Sequence, residues 1–565
     1  MIRRKTIGVF LIYAFLLPTF AFAQTNGTAP AKTVYTAPKA DIDKIRDEGM
    51  NRSQVMQTLS YLTNVIGPRL TNSPNMKRAN EWTRDTMARW GMQNAKLEPW
   101  GPFGRGWSLR SFSAEVVEPQ VFPVIAFPKA WTPSTKGAVT AEVVHFEAKT
   151  EADLDKFRGK LSGKIVLTTP GTREIKPVEK PLASRRSDAE LAKMAAETSA
   201  TGQPRPQPSP LTEEQRAALR EQQLLTFKIG DFLLQEKPAV LVDTSTRGSG
   251  GGTVFVQGAS VAQPVPANPE TFSFRNALPA YKKEAESRML PQMTIASEDH
   301  NRLVRMIQQG ITPRMTVNIQ AQYHDDDLMG YNTVAEIPGT DPTLKDELVM
   351  VGGHMDSWHS STGATDNAAG TAVAMEAARI ILASGLKPRR TIRVALWSGE
   401  EQGLIGSREY VKQQFGELKN APAFGPRDPN APQPELVKKD NYDKLSAYYN
   451  LDNGTGRIRG VYMQGNTMVK PYFEAWLAPF SDLGASTVTI LNTGGTDHQS
   501  FDRIGLPGFQ FIQDEMEYST RTHHSNQDNY DRLQADDMKQ AATIMAAFVY
   551  QTAMMDEKLP RKTMP

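Results

Sequence analysis

Cysteine is absent from all 565 residues of the sequence. This absence excludes disulfide bonds, cysteine nucleophiles and metal sites built from thiolates. Any metal ion must therefore be held by histidine, aspartate and glutamate. The stability of the fold must come from burial of apolar side chains and from any metal that is bound.

The sequence also lacks a strong excess of charge of either sign, because its formal net charge is only +3. Basic residues form only short groups such as Lys387–Arg390, whereas a nucleic-acid-binding protein concentrates them on one face. We therefore expect no nucleic-acid partner. With 39% hydrophobic and 22% charged residues, the composition is that of a globular protein, and the length predicts two or three domains.

An apolar run of the length that spans a membrane is missing as well. The apolar stretch Ile7–Leu17 is shorter than the ~20 residues of a transmembrane helix. It follows basic residues and precedes Ala21-Phe22-Ala23, which is the pattern of a secretory signal peptide. We expect cleavage near Ala23–Gln24, no stable membrane span in the mature chain, and a periplasmic or extracellular location.

The pattern along the chain changes several times, which indicates consecutive parts of different structure. A polar leader rich in Pro and Ala precedes helical periodicity, and short strands separated by Gly and Pro then predict a β-rich domain. The predicted parts are a signal peptide (1–23), a disordered leader (24–40), the N-terminal part of the main domain (41–120), an inserted β-rich domain (121–322) with an exposed stretch (178–223), the main domain (323–555) and a tail (556–565).

The alternation of hydrophobic strands and helices after residue 331 predicts an α/β fold. Its central sheet is expected to be mixed but largely parallel, with helices on both faces. Ligands of such sheets bind beyond the carboxyl ends of the strands. The expected strands are 333–337, 347–352, 391–397, 447–451, 486–490 and 508–512, and the expected helices are 366–384, 407–415 and 536–554.

Acidic residues and histidines follow these strands. Taken singly, each is more often a helix cap or a surface pair than a ligand. However, five of the eight histidines of the chain lie in these loops, and chance explains that clustering poorly. The histidines are His354, His359, His498, His523 and His524, and the acidic candidates are Asp356, Asp366, Glu400, Glu401 and Asp452.

Imidazole nitrogens and carboxylate oxygens suit zinc in a site without cysteine. Two zinc ions that share one carboxylate need five protein residues, and manganese or cobalt can occupy the same ligands. We expect one ion to be bound by His354, Asp366 and Asp452, and the other by Asp366, Glu401 and His524.

Two acidic residues of this group remain without an ion. Asp356 can turn back toward His354 and fix its tautomer. Glu400 lies beside a ligand and can take a proton from water, which is the role of a general base.

Five motifs occur in a fixed order: GGHMDSW (352–358), GATDNAAG (363–370), LWSGEEQGLIGS (396–407), NLD (450–452) and HHSNQD (523–528). Together they resemble the co-catalytic zinc family of bacterial leucyl aminopeptidases and glutamate carboxypeptidases, and most closely its plasma glutamate carboxypeptidase branch. The resemblance extends over most of residues 45–125 and 325–550. It implies a zinc-exopeptidase-like three-layer sandwich, and it implies the same five ligands, Glu400 as general base and Asp356 as orienting acid.

The resemblance also bears on the β-rich insertion. GKIVL (163–167) and AVLV (239–242) lie where a protease-associated domain would have strands. We therefore expect the insertion to be such a domain.

The roles of four further residues stay open or rest on spacing. Asp497 and His498 are similar to a Ser-Asp-His element of the family, with Thr in place of Ser, and either support the pocket or are structural. His523 and His524 are expected to point in opposite directions on an extended segment, so that only one binds the ion. The spacing to Asp528 favours His524. We expect His359 at the rim of the site.

The sequence therefore predicts a metallopeptidase, an exopeptidase that cleaves dipeptides or short peptides with a free N-terminus. The alternative is a carboxypeptidase that removes the C-terminal residue. A single-zinc glutaminyl cyclase-like transferase and an inactive binding protein on the same scaffold are weaker alternatives, because the ligand set and the base are complete. No Gly-x-Ser-x-Gly motif with suitable partners supports a serine hydrolase. The oligomeric state stays open, and a homodimer is compatible with the sequence.

Overall fold

The computed structural model describes residues 34–201, 212–245, 247, 250–266, 277–421 and 432–563. The predicted signal peptide, residues 24–33 of the predicted leader, residues 202–211 of the predicted exposed stretch and the last two residues of the predicted tail lie outside the described residues. Residues 35–565 form one compact unit.

Three of the helices begin at a Ser or Thr whose side chain caps the first turn. The Ser73 side chain accepts a hydrogen bond from the Met76 N–H, and Pro74 occupies the first helical turn. Among the described residues, no helix has the length and apolar character that a membrane crossing requires. The α-helices of the described residues are α1 (Lys39–Asn51), α2 (Val55–Ser60), α3 (Pro74–Arg89), α4 (Asp188–Ala195), α5 (Glu213–Glu236), α6 (Ser297–Gln308), α7 (Ala369–Ala383), α8 (Ile405–Gln414), α9 (Lys470–Leu477), α10 (His498–Asp502) and α11 (Ala535–Met554).

The strands form two large sheets and one small hairpin. They are β1 (Gln93–Trp100), β2 (Gly106–Glu118), β3 (Phe122–Pro123), β4 (Ala126–Pro128), β5 (Val139–His145), β6 (Ile165–Leu167), β7 (Val240–Thr244), β8 (Gln292–Ile295), β9 (Arg314–His324), β10 (Gly330–Ile337), β11 (Leu348–His354), β12 (Thr391–Trp397), β13 (Gly416–Lys419), β14 (Glu435–Lys438), β15 (Leu445–Asn450), β16 (Ile458–Tyr462), β17 (Thr487–Thr489) and β18 (Gly508–Gln513).

The first sheet has the order β1-β10-β12-β11-β15-β18-β16-β17. Its four central strands, from β12 to β18, run parallel to one another. Antiparallel pairs lie on both sides of this centre, between β10 and β12 and between β16 and β18. The predicted α/β class with a mixed, largely parallel sheet is therefore confirmed.

Successive residues of the central strands face opposite sides of the first sheet, as strand geometry requires. On one side Val349, Val351 and Ile392 belong to a core that includes α7 and α11. On the other side Met350 and Trp397 belong to a core that includes residues of α8 and α10. Helices on both faces make this part a three-layer sandwich.

The second sheet is built from residues 106–324, which are inserted between β1 and β10 of the first sheet; we call them the insertion. Its strand order is β3-β2-β9-β5-β6-β7-β8-β4. The sheet begins at Gly106, earlier than the predicted boundary at residue 121, because β2 pairs with β9 along its whole length. A separate core that includes Ile165, Val240 and Met293 stabilises it.

Two parts of the insertion lie outside its sheet. The described residues of the stretch 178–223 are mostly exposed, and α5 begins inside this stretch and continues to Phe227 and Phe232, which are buried. Residues 253–257 belong to neither large sheet. Instead Phe255 forms an antiparallel bridge with Ser525 of a distant loop.

Candidate metal centre

The carboxyl ends of three neighbouring strands carry the central polar residues. β11 ends at His354, β12 is followed by Glu400 and Glu401, and β15 is followed by Asp452. Because β11 pairs in parallel with both β12 and β15, these ends lie side by side at one edge of the sheet.

Asp366 lies between two imidazole rings. Its Oδ1 is 3.3 Å from His354 Nε2, and its Oδ2 is 3.2 Å from His524 Nε2. Asp452 Oδ1 is 3.4 Å from the same His354 nitrogen, and Glu401 Oε2 is 2.9 Å from the same His524 nitrogen. The five residues thus form two groups that share the Asp366 carboxylate.

Several atoms of this cluster are buried without a hydrogen-bond partner among the described residues. They are His354 Nε2, Asp366 Oδ2 and Glu401 Oε1. Buried polar atoms nearly always have partners, so such atoms need an explanation. Two ligands about 2.1 Å from a tetrahedral zinc ion lie roughly 3.4 Å apart, which is close to the N–O distances found here. The residues present therefore fit divalent metal ions.

The orientation of His354 is fixed by Asp356, although not in the expected way. His354 Nδ1 donates a hydrogen bond to the main-chain carbonyl of Asp356 at 3.0 Å, so Nε2 faces the cluster. The Asp356 carboxylate lies 3.6 Å from Nδ1. It accepts hydrogen bonds from Thr71 Oγ1 at 2.8 Å and from the main-chain N–H groups of Glu400 and Glu401 at 3.3 Å. Asp356 thus holds the loop that carries both glutamates.

The turn that carries Asp366 is held by residues from distant parts of the chain. The Asp528 carboxylate accepts hydrogen bonds from the N–H groups of Thr365 and Asp366, at 2.6 and 3.1 Å. The buried Arg69 side chain donates to the main-chain carbonyls of Met355 and Gly363, at 2.7 and 2.8 Å. These contacts fix the turn that carries Asp366, whose backbone dihedral angles are not helical.

His523 and His524 do not point in opposite directions, so that expectation is wrong. His524 has a φ of 58°, and the centroids of the two rings are only 3.8 Å apart. The alternation rule fails because the segment is not extended. His523 Nε2 is 3.8 Å from Asp366 Oδ2, farther than His524 Nε2, and His523 Nδ1 is 3.2 Å from an Arg247 guanidinium nitrogen.

Comparison with known proteins agrees with this geometry. Residues 332–549 match the family described as Peptidase family M28. We call residues 332–549 the M28 domain after this match. The M28 domain thus covers the central strands and the whole cluster around Asp366.

Curated relatives of the chain include enzymes named carboxypeptidase Q. The one from Mus musculus is 30% identical over 48% of this chain and 52% of its own length. The one from Bos taurus is 25% identical over 98% of this chain and 99% of its own length. Leupeptin-inactivating enzyme 1 of Streptomyces exfoliatus is 30% identical over 32% of this chain and 34% of its own length. The chain spans about half the length of the first curated relatives that it matches.

Solved structures share the fold over most of the chain. The Peptidase M28 precursor from Shewanella amazonensis has a TM-score of 0.59 and 20% identity, over 93% of this chain and 99% of its own. The zinc aminopeptidase BSAP from Bacillus subtilis has a TM-score of 0.51 and 16% identity, over 90% of this chain and 96% of its own. At these identities the likeness shows the fold alone.

Glu400 lies beside the cluster but belongs to neither group that shares the Asp366 carboxylate. Its Oε2 lies 3.9 Å from His354 Nε2, and its side chain faces a cavity of about 410 Å³. The cavity is lined by Asp366, Glu400, Glu401, Gly403, Leu404, Asp452, Asn453, Gly494, Gly495, Thr496, Tyr518, His523 and His524. Of these, Asn453, Gly494 and Tyr518 were not singled out from the sequence.

Burial dominates the electrostatics of the cluster. It raises the pKa of Glu400 well above its ordinary value, and the carboxylates of Asp452 and Asp497 add to this rise against the opposing effect of His354. Burial also raises the pKa of Glu401 to about 7, although His524 opposes it. The cluster therefore holds more negative charge than it can easily accommodate.

The two imidazoles respond to the same charge. Burial opposes protonation of His354, but Asp452 and Glu400 outweigh it and raise the pKa of His354 well above its ordinary value. Glu401 and Asp366 likewise outweigh burial and raise the pKa of His524 to about 10. The carboxylates thus favour positive charge beside both imidazoles, and divalent cations would supply such charge.

The remaining candidates lie behind or beside the cavity. Asp497 is fully buried, neither of its carboxylate oxygens has a hydrogen-bond partner among the described residues, and burial raises its pKa to about 7. His498 Nε2 lies 3.0 Å from the Thr493 carbonyl oxygen, and burial lowers the pKa of His498 to about 4. His359 Nε2 donates to the Pro128 carbonyl at 2.7 Å, and none of the three lines the cavity.

Proposed function

We propose that this chain is a zinc-dependent exopeptidase that hydrolyses dipeptides or short peptides with a free N-terminus. The observation that carries the proposal is the Asp366 carboxylate, which faces His354 with one oxygen and His524 with the other. The match of the M28 domain to a peptidase family supports the same reaction class.

Five residues would hold two zinc ions, and manganese or cobalt can replace zinc at such ligands. When bound, the pair of ions supplies Lewis-acid activation of water and of the scissile carbonyl group. The ligands proposed for one ion are His354, Asp366 and Asp452, and those for the other are Asp366, Glu401 and His524. Their buried, unpartnered atoms support this division.

Glu400 would act as the general base that takes a proton from water and passes it to the leaving amine. Its carboxylate faces the cavity beside both groups of ligands and is placed to accept a proton from the attacking water. The burial that raises its pKa lets it keep that proton until the leaving amine takes it. Asp356 would support the step by holding the main-chain N–H groups of Glu400 and Glu401.

Carboxypeptidase action is the second candidate, and one observation favours it. The guanidinium of Arg247 lies 3.2 Å from His523 Nδ1, beside the cavity. Within the described residues, no carboxylate forms an ion pair with Arg247. A guanidinium in this position can pair with the free C-terminal carboxylate of a peptide. The names of the carboxypeptidase Q relatives are consistent with this candidate.

The proposal extends to the insertion and to the location of the protein. The insertion would be a protease-associated domain, since its parallel strands β6 and β7 include the residues predicted for one. The chain would be exported after signal-peptide cleavage near Ala23, and it would act on peptides outside the cytoplasm.

The decisive experiment measures zinc and peptide hydrolysis together. Elemental analysis of the purified full chain should give two zinc ions per chain, whereas one zinc would favour the glutaminyl cyclase-like alternative. A panel of free, N-acetylated and C-amidated dipeptides then separates the candidates. Loss of cleavage on N-acetylation supports the exopeptidase that needs a free N-terminus. Loss on C-amidation alone supports the carboxypeptidase, and no cleavage of any peptide by the zinc-loaded chain favours a binding protein.

A further inference from the structure

The loop that carries His524 pairs with a segment of the insertion outside both large sheets. The Val256 N–H donates to the His524 carbonyl at 3.1 Å, and the Asn526 N–H donates to the Val254 carbonyl at 3.0 Å. The Asn526 side chain accepts from the Val254 N–H at 2.8 Å. Phe255 and Ser525 form the antiparallel bridge between these bonds. Residues 252–257, which we call the clasp, therefore join the insertion to the M28 domain at the metal centre.

The body of the insertion fixes the position of the clasp. Val254 and Val256 are fully buried, in one apolar cluster with Ala296 and Phe127. The Ala130 N–H donates to the Gln257 carbonyl at 3.1 Å. Buried side chains and a main-chain hydrogen bond thus anchor the clasp to the body of the insertion.

His524 needs such support more than the other proposed ligands do. Its φ of 58° lies in the left-handed region, which costs a residue with a side chain about 1–2 kcal/mol. The hydrogen bond from Val256 to its carbonyl stabilises this conformation. The ring is also packed, with its centroid 5.6 Å from that of Phe255 and 6.1 Å from that of Trp358.

Gln257 of the clasp reaches the imidazole itself. Its side-chain amide nitrogen lies 3.3 Å from His524 Nδ1, while His524 Nε2 faces Asp366 and Glu401. A neutral imidazole that offers Nε2 to a cation must carry its proton on Nδ1 and donate it. The oxygen of the Gln257 amide can accept that proton, because the two ends of an amide are interchangeable by a flip of the side chain.

We infer that Gln257 is a positioning residue for the metal centre, and that the clasp makes the insertion necessary for full occupation of the ion site formed by Asp366, Glu401 and His524. This inference rests on the proposed function. Gln257 acts through His524, because it fixes the tautomer and the direction of the ring and does not touch the substrate. Removal of comparable partners of metal-binding histidines weakens metal affinity by about 10- to 100-fold.

The test measures zinc retained by the full chain across a series of buffered free-zinc concentrations. The variants are Gln257→Ala, Gln257→Glu, which keeps an acceptor at the same length, and Asn526→Ala, which removes the side chain that closes the clasp. Gln308→Ala is the matched control, because Gln308 is an exposed glutamine of the insertion at the end of α6. The Tm in zinc-saturated buffer shows that each variant is folded, and Gln257 is exposed enough for its replacement to leave the core intact.

The wild type and Gln308→Ala should keep two zinc ions over the same range. Gln257→Ala and Asn526→Ala should lose one of the two at free-zinc concentrations about 10-fold higher or more, and Gln257→Glu should restore wild-type retention. A Gln257→Ala curve that coincides with the wild type would overturn the inference. So would a Gln257→Glu curve as weak as that of the alanine variant. A wild-type chain that never holds two zinc ions would instead overturn the proposed function itself.

Discussion

Two adjacent glutamates of the site have different surroundings. Glu401 Oε2 lies 2.9 Å from His524 Nε2, whereas Glu400 Oε2 lies 3.9 Å from His354 Nε2 and faces the cavity. Replacement of Glu400 by Gln should leave both zinc ions bound and lower kcat at least about 100-fold, because only the proton acceptor is lost. Dipeptide kinetics together with zinc analysis check this. Glu435→Gln, on the exposed strand β14, should retain wild-type kcat, and an active Glu400→Gln would show that another group takes the proton.

Thr71 supports the same glutamates from a distant part of the chain. Its hydroxyl donates to the Asp356 carboxylate at 2.8 Å, and that carboxylate holds the Glu400 and Glu401 N–H groups. Thr71→Val should lower kcat about 10-fold. It should also cost about 1–3 kcal/mol of unfolding free energy, because a buried acceptor loses its partner.

A matched control for Thr71 exists in the same region. Thr63 is equally buried, but its hydroxyl donates to the Leu59 carbonyl of its own helix. Thr63→Val should therefore change stability without changing kcat. Equal losses of kcat in the two variants would mean that Thr71 acts only through stability.

The sequence identifies some residues of the site and misses others for a physical reason. His354, Glu401 and Asp452 follow predicted strands, and parallel strands bring their ends together whatever the details of the loops. Asp366 was found because it begins a predicted helix after a glycine-containing loop, but its place beside the imidazoles depends on contacts with distant residues. Thr71, Arg69 and Gln257 reach the site only through tertiary contacts, so no local pattern marks them. The left-handed backbone of His524 is not signalled either, since glycine is the residue that marks such a conformation in a sequence.

Among the elements, α6 carries a histidine with no exposure to solvent. Burial lowers the pKa of His300 to about 4, and its ring centroid is 6.3 Å from that of His145. Between pH 6.5 and 4 the unfolded chain protonates this histidine while the folded chain does not, so folding stability falls as the pH falls. His300→Phe should reduce that fall.

Denaturant unfolding of the wild type and the His300→Phe variant at several pH values checks this prediction. The difference at pH 8 measures the change in packing alone, because the histidine is neutral in both states there. The difference should then move in favour of the variant between pH 6.5 and 4. A constant difference over that range would mean that His300 is not protonated on unfolding.

The elements themselves follow the sequence where periodicity is strong. The predicted strand 391–397 coincides with β12, and the predicted helix 536–554 differs from α11 by a single residue at its start. The stretch 178–223 contains few large apolar residues, and its described residues are mostly exposed. The side chains that anchor α5, including Phe227 and Phe232, lie just beyond it. Local composition cannot reveal an anchor outside the window that is considered.

At the scale of the whole molecule, removal of metal should lower the stability of the fold. The carboxylates of Asp366, Glu400, Glu401 and Asp452 are gathered in one largely buried cluster, so their mutual repulsion opposes folding when no cation offsets it. A chelator should lower the Tm by ~5–10 °C, and added zinc should restore it. Calorimetry with and without chelator checks this. The His354→Ala variant should show a smaller decrease in Tm on addition of the chelator. An unchanged Tm of the wild type would argue against binding of metal that stabilises the fold.

The position of Asp366 has a further consequence. One carboxylate faces both imidazoles, so the two proposed ion sites share a ligand and cannot be filled independently. The first ion would fix the plane of that carboxylate and spare the second ion the entropy of ordering it, which favours binding of the second ion and is positive cooperativity between the sites. The wild type should therefore load zinc with a Hill coefficient above one, whereas a variant weakened at one site should show a partly loaded intermediate.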